Sequence, residues 1–264
     1  MSILTIVAGM ATGLLLGILG SGGSIITMPA LMYLVGVAPK SAIAMSLGIV
    51  AVTASIAAVQ HWRKGNVSVP VALVFSLFGA AGTFVGAKVG VVMPTFLQLG
   101  LFAVIMYLAA YRMLRPTQNA PVGAESVLSS ANGAVVGQGL DVAKLMPIAL
   151  HGVIVGSLTG MVGVGGGFLI VPALVLLSGL TMKQAVGTSL AVVSVQSMTG
   201  FAGYAGAVAM DYTLMGAFAA VAIAGGIVGG VISHRVPPAK LKKTFAVFLL
   251  VVASYIVFRE ILAV

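Results

Sequence analysis

The sequence predicts an all-α polytopic membrane protein made of two inverted-topology repeats, each a broken or re-entrant helical hairpin followed by three transmembrane helices. Three observations predict it. Charged residues make up 6% of the 264 and apolar residues 60%, with a mean hydropathy of +1.21, whereas a soluble domain carries about 25% charged residues. Apolar stretches long enough to cross a bilayer, about 20 residues each, recur along the whole chain. A glycine cluster also interrupts a long apolar stretch twice in the same setting, GILGSGGSIITMPAL at 17–31 and GMVGVGGGFLIVPAL at 160–174, 143 residues apart.

The apolar segments fall at about 3–35, 41–61, 68–92 and 96–114, then at 145–179, 183–206, 212–233 and 241–262. The broken segment opens each half. The first segment, from Ser2 onward, lacks a basic leader and runs into the first repeat, so it is expected to be structural rather than a cleaved signal. Residues 1–115 form one repeat and 144–264 the other. Between them, 116–143 is rich in Gly, Ser, Asn and Ala, carries Glu125 and Asp141, and is too polar to span. At the 143-residue offset Gly9 pairs with Gly152, Gly13 with Gly156, Gly17 with Gly160, Pro29 with Pro172, Lys40 with Lys183, Ser46 with Ser189, Gly82 with Gly225, Gly86 with Gly229 and Pro94 with Pro237. Roughly a quarter of positions match, which indicates a duplication.

Charge sets the relative orientation. The connection after the second segment carries Arg63 and Lys64 in the first half, while its partner at 206–211 has no base. The connection after the third segment is nearly bare in the first half, while its partner carries Arg235, Lys240, Lys242 and Lys243. Positively charged loops stay on the cytoplasmic side, so equivalent loops face opposite sides and the halves are inverted. If each broken segment turns back at its glycines, Arg63, Lys64, Arg112, Arg115, Lys144, Lys183, Arg235, Lys240, Lys242 and Lys243 fall inside, against Lys40, Lys88 and Arg259 outside. Eight simple crossings would divide the same residues six against seven. Two pieces that each cross fully give the same parity as a hairpin, so the charge count leaves that choice open.

Non-helical backbone at membrane depth survives only against protein or a wet cavity, because each unpaired amide costs several kcal/mol in hydrocarbon. A helix restarting after a break presents free N–H groups and about half a positive charge, which favours an anion. The expected substrate site is therefore Ser21, Gly22, Gly23 and Ser24 in the first half facing Gly165, Gly166 and Gly167 in the second, near the midplane. Ser46, its counterpart Ser189, and Gln196 are the best candidates from the segments that follow. The glycines spaced by four, Gly9, Gly13 and Gly17 with Gly152, Gly156 and Gly160, read instead as helix-packing faces.

Composition excludes several classes. There is no cysteine, hence no disulfide, thiol catalysis or thiolate metal site. The four acids, Glu125, Asp141, Asp211 and Glu260, fall in loops or at the terminus, which disfavours a carboxylate-lined cation pathway. His151, within the second broken segment, reads as a packing or proton-carrying group, and His61 and His234 as interfacial residues; no metal set or cofactor motif is expected. The net charge of +9 is spread over segment ends with no separate basic domain, so membrane orientation accounts for it and nucleic acid does not.

The duplicated G-x-G-G-x(5)-P-x-L element, at Gly20-Ser21-Gly22-Gly23 through Pro29 and Leu31 and at Gly163-Val164-Gly165-Gly166 through Pro172 and Leu174, resembles the TauE/SafE sulfite exporter family. Lys40-Ser41-Ala42, Lys183-Gln184-Ala185 and the Gly65-Asn66-Val67 turn extend the likeness over nearly the whole chain. The resemblance implies a bacterial-type inner-membrane permease that moves sulfite, an organosulfonate or a related sulfur-containing anion, usually outward, without a cofactor. The rival readings are an anion channel that uses the glycines as a filter, a membrane enzyme or assembly factor for sulfur compounds, and a cation permease. Oligomeric state stays open, a homodimer included.

Overall fold

The computed structural model describes residues 3–19, 25–114, 142–167, 169–171, 174, 180–232 and 238–262. Residues 116–141 of the expected linker and the first glycine cluster, with Ser21, Gly22, Gly23 and Ser24, lie outside the described residues, and the last two linker residues, Val142 and Ala143, begin a helix. Every described element is helical: α1 (Ile3–Leu19), α2 (Thr27–Pro29, running on as a π-helical turn over Ala30–Leu34), α3 (Pro39–Arg63), α4 (Val69–Val92), α5 (Thr95–Leu114), α6 (Val142–Val162), α7 (Met182–Tyr204), α8 (Tyr212–Ile232) and α9 (Pro238–Leu262). Four of them, α3, α4, α7 and α8, are long and apolar enough to cross a membrane within the described residues.

Local chemistry sets the helix ends. Pro39 opens α3, Pro70 lies in the first turn of α4 and Pro238 opens α9, positions where a missing N–H has no intrahelical acceptor to lose. Thr181 and Gln184 form a reciprocal capping box ahead of α7, and Asp211 Oδ1 accepts from Leu214 N, 2.9 Å away, at the head of α8. Gly65 and Gly206 turn the chain after α3 and α7 at φ +70° and +76°.

The first helix of each half packs against the third helix of the other half, and main chain meets main chain there. A Cβ on Gly156 would overlap the Gly79 carbonyl, one on Gly160 the Thr83 carbonyl, and one on Gly86 the Ser157 carbonyl, so α4 and α6 run side by side in the same direction. The counterpart pair, α1 and α8, repeats the arrangement: Gly13 lies against the Ala222 carbonyl, Gly225 against Met10 O and Gly229 against Leu14 O. Small residues let helices approach this closely, which is the main source of helix association where lipid is as apolar as the side chains.

The centre belongs to α3 and α7. Of the spanning window in α3 72% is buried and in α7 56%, against 33% in α4 and 28% in α8. Gly48 meets Phe201, Gly200 meets Leu47, and Gly187 meets His61, so α3 and α7 run antiparallel although the 143-residue offset makes them equivalent. The pieces after the breaks fold back. The π-helical turn packs on α1, and Ala30 and Leu31 share a core cluster with Ala8; a straight helix would hold residues 8 and 30 about 33 Å apart. Gly166 likewise lies against Val155 and Thr159 of α6.

The α4–α6 contact has no room for a branched side chain. Gly86→Val is expected to lower stability by about 1–3 kcal/mol in thermal unfolding of the detergent-solubilised protein. Gly100→Val, at a glycine with nothing within 4 Å of an added Cβ, should leave the transition where it is.

Candidate functional site

The break between α6 and the helical residues after it is held by three left-handed glycines, Gly163 (φ +77°), Gly165 (φ +69°) and Gly166 (φ +60°). Any other L-residue would bring its Cβ against the carbonyl here. Gly163 N–H still donates to Thr159 O at 2.8 Å, which completes α6, and Leu169 and Ile170 N–H both donate to Gly166 O, which starts the next turn. Residues Gly163 to Gly167 are all buried. The break is enclosed by protein, as non-helical backbone at membrane depth requires.

Two side chains frame it. The Ser46 hydroxyl lies 2.7 Å from both Ile43 O and Gly163 O and donates to one of them at a time, pinning the break to α3. Gly163 itself sits on the α3 backbone, where an added Cβ would be 2.7 Å from Ile43 Cγ2 and 2.9 Å from Ile43 O. The Thr159 hydroxyl lies against Gly166, is buried, and has no hydrogen-bond partner. Ile43 and Ser46 belong to the first third of α3, so the second break lies nearer one end of the bundle than the midplane where the sequence reading put it. The reason is length: the 21 residues of α6 reach about 31 Å before the chain breaks.

Gln196 occupies a different level. The register of α3 on α7 sets it opposite Thr53, its own counterpart under the offset, near the middle of both helices. It is 0% exposed, its carboxamide rests on Gly79 of α4, and neither Nε2 nor Oε1 has a hydrogen-bond partner. The neighbouring Ser197 hydroxyl is also buried and unpartnered. Gly79 touches both Gly156 and Gln196, and Thr83 touches both Gly160 and Gly200, so Thr159 lies about one helical turn from Gln196 toward the break. Ser46, Gly163 to Gly167, Thr159 and Gln196 thus mark successive levels between α3, α4, α6 and α7.

Four further polar residues of α3 and α7 are engaged locally. Thr53 donates to Ile49 O, Ser55 to Ala51 O, Ser194 to Ala191 O and Thr199 to Gln196 O, all within their own helices. Ser189 donates to Val186 O at 2.8 Å. His151 is exposed on α6, three turns before the break.

Sequence reasoning missed Thr159 and a buried polar knot at the same end as the break. There Gln98 of α5 donates through Nε2 to Met161 O and to Tyr204 Oη, the latter at 2.9 Å, with both side chains fully buried. Gly90 leaves the space they occupy. Lys40 Nζ, 2.6 Å from Val91 O, ties the head of α3 to the last turn of α4, where the helix dipole favours a cation. The signal for Thr159 was available, a hydroxyl one turn before a glycine run in an otherwise apolar helix. Beyond these helices, a cavity of about 370 Å³ opens between residues 37–45 and 209–214, lined by Val37, Ser41, Met45, Met210, Asp211 and Leu214 among others.

The sulfite exporter TauE/SafE family model matches residues 5–256. The chain belongs to the TauE/SafE sulfite exporter family. Among its relatives, a probable membrane transporter protein of Xylella fastidiosa (strain 9a5c) is 32% identical over 263 residues, covering 98% of this chain and 95% of its own. The probable membrane transporter protein YdhB of Bacillus subtilis is 28% identical over 241 residues, covering 90% and 91%. MJ0441 of Methanocaldococcus jannaschii, also named a probable membrane transporter protein, is 24% identical over 206 residues, covering 76% and 71%. No solved structure matches the chain. As a TauE/SafE member it is an integral membrane transporter and not an enzyme.

The left-handed glycines give the site a stability signature. Gly165→Ala is expected to cost about 1–2 kcal/mol in thermal unfolding, since φ +69° strains a Cβ whatever the surrounding space.

Proposed function

We propose that the chain is an inverted-repeat secondary transporter of the inner membrane that moves a small sulfur-containing anion, sulfite or an organosulfonate, by alternating access. The antiparallel course of α3 and α7, equivalent under the offset, supports inversion: repeats in parallel orientation would make them run the same way. The exchange of partners, α1 with α8 and α4 with α6, supports one two-fold relation across the bundle.

The observation that carries the substrate reading is Gln196. A fully buried carboxamide with neither atom paired costs about 1–3 kcal/mol per unsatisfied group, and such a group in a native structure calls for an explanation. A ligand taken up between α3, α4 and α7 provides one, with Ser197 and Thr159 supplying further neutral hydroxyls. In this reading Gly165, Gly166 and Gly167, with Ser46 bracing them, present main-chain amides to the anion, and Ser21, Gly22, Gly23, Ser24 and Ser189 act in the same way in the other half. An exported monoanion gains about 2.3 kcal/mol per 100 mV of inside-negative potential, so efflux needs no coupled ion.

Two measurements test this. Proteoliposomes with the potential clamped by potassium and valinomycin should show saturable, potential-sensitive efflux of sulfite or of a small sulfonate, with counterflow. Flux without saturation would favour a channel with a glycine filter, and no flux of either compound would overturn the substrate assignment. Gln196→Met keeps volume while removing the unpaired amide, so it should raise thermal stability by about 1–3 kcal/mol and abolish flux. A stable variant with full flux would remove Gln196 from the pathway.

A further inference from the structure

The 143-residue offset maps the cavity onto a second place in the molecule, and the two are packed differently. Met45 corresponds to Thr188, Met210 to Val67, Asp211 to Ser68 and Leu214 to Val71. At the first place these residues line an opening of about 370 Å³. At the second, Ser68 N–H donates to Thr188 Oγ1 at 3.0 Å, and the Asn66 carbonyl rests directly on Gly187, where an added Cβ would overlap it. Val67 and Val71 pack onto the adjoining core cluster with Leu180 and Val186. One end of the α3–α7 pair is sealed by the segment entering α4, while at the other end Met210 and Leu214 of the segment entering α8 pack beside Met45 and border the opening.

The sequence carries the same asymmetry. Gly187 corresponds to Ala44, whose methyl denies residue 209 the approach that Asn66 makes, and Thr188 corresponds to Met45, which offers no hydroxyl to residue 211. Lys183, Arg63 and Lys64 lie at the sealed end, and Lys40 and Lys88 at the open one. The excess of positive charge assigns the sealed end to the cytoplasm.

We infer that residues 66–68 seated on Gly187 and Thr188 form the closed cytoplasmic gate of an outward-open state, and that the chain reaches its opposite state when this seal parts and residues 209–211 close on Ala44 and Met45. The inference rests on the alternating-access reading above. The Gly187/Ala44 and Thr188/Met45 differences make the cytoplasmic seal the tighter of the two, so the outward-open state predominates at rest.

Because the chain has no cysteine, single cysteines report each end without background. Met210→Cys and Val67→Cys, placed separately in the full-length protein in nanodiscs, are labelled with a small water-soluble maleimide. Met210→Cys should react at least about tenfold faster than Val67→Cys. Adding Gly187→Ala should raise the Val67→Cys rate about tenfold and lower the Met210→Cys rate; Thr188→Val, which removes only the acceptor, should act in the same direction more weakly and covers the case in which Gly187→Ala does not fold. A rise at Val67→Cys with no fall at Met210→Cys would mean local loosening and would overturn the exchange, as would no change at either. Flux in proteoliposomes separates the two readings. Anion efflux by the parent without label exchange sinks the gate alone, and label exchange without sulfite or sulfonate flux sinks only the substrate assignment.

Discussion

The architecture depends on two places where helix backbones touch without side chains between them, α1 on α8 and α4 on α6. In lipid there is little hydrophobic gain from hiding apolar side chains against each other, so close main-chain packing has to hold the helices together. Both contacts join the first half to the second. Neither half closes its own glycine face, and α1 and α6 are each clamped by a helix of the other half of the chain. That arrangement keeps α3 and α7 in the middle, with Thr53, Ser55, Ser194 and Thr199 satisfied inside their own helices and Gln196 and Ser197 left to bear unpaired atoms.

Much of this was legible in the sequence because a membrane span, a duplication and a charge bias each leave a simple pattern. The segment at 68–92 was placed within a residue of α4, and that at 212–233 within a residue of α8. The packing role of Gly13, Gly152, Gly156 and Gly160 followed from their spacing alone. What pattern could not give was depth. Nothing in GVGGG says how far along α3 it will lie, and its seat against Ile43 depends on the length of α6. Gln98 and Tyr204 were equally out of reach: they are distant in sequence, on α5 and α7, and meet only because Gly90 and the end of α6 leave a pocket between them.

The candidate residues divide accordingly. Ser46 is a polar position paired with Ser189 in the sequence, and its bond to Gly163 makes it a brace for the break. Gln196 was chosen because a buried amide seldom lies idle, and it is the one with both atoms unpaired. A hydroxyl in a helix can turn to a carbonyl three or four residues back, as those of Thr53 and Ser194 do, whereas a carboxamide is too long for that refuge. This difference in chemistry explains why the longer side chain carries information that the shorter ones do not.

The partnership of α1 with α8 also sets a schedule for assembly. The first helix leaves the ribosome about 200 residues before the end of its partner, which at about 5–20 residues per second is an interval of roughly 10–40 s. Through that interval the face of Gly9 and Gly13 has only lipid or the insertion machinery against it, and the small-residue stripe stays open to any other helix passing through the same site. A fold whose opening segment is completed by one of its last is therefore exposed to mispairing during synthesis far more than a bundle built from neighbours.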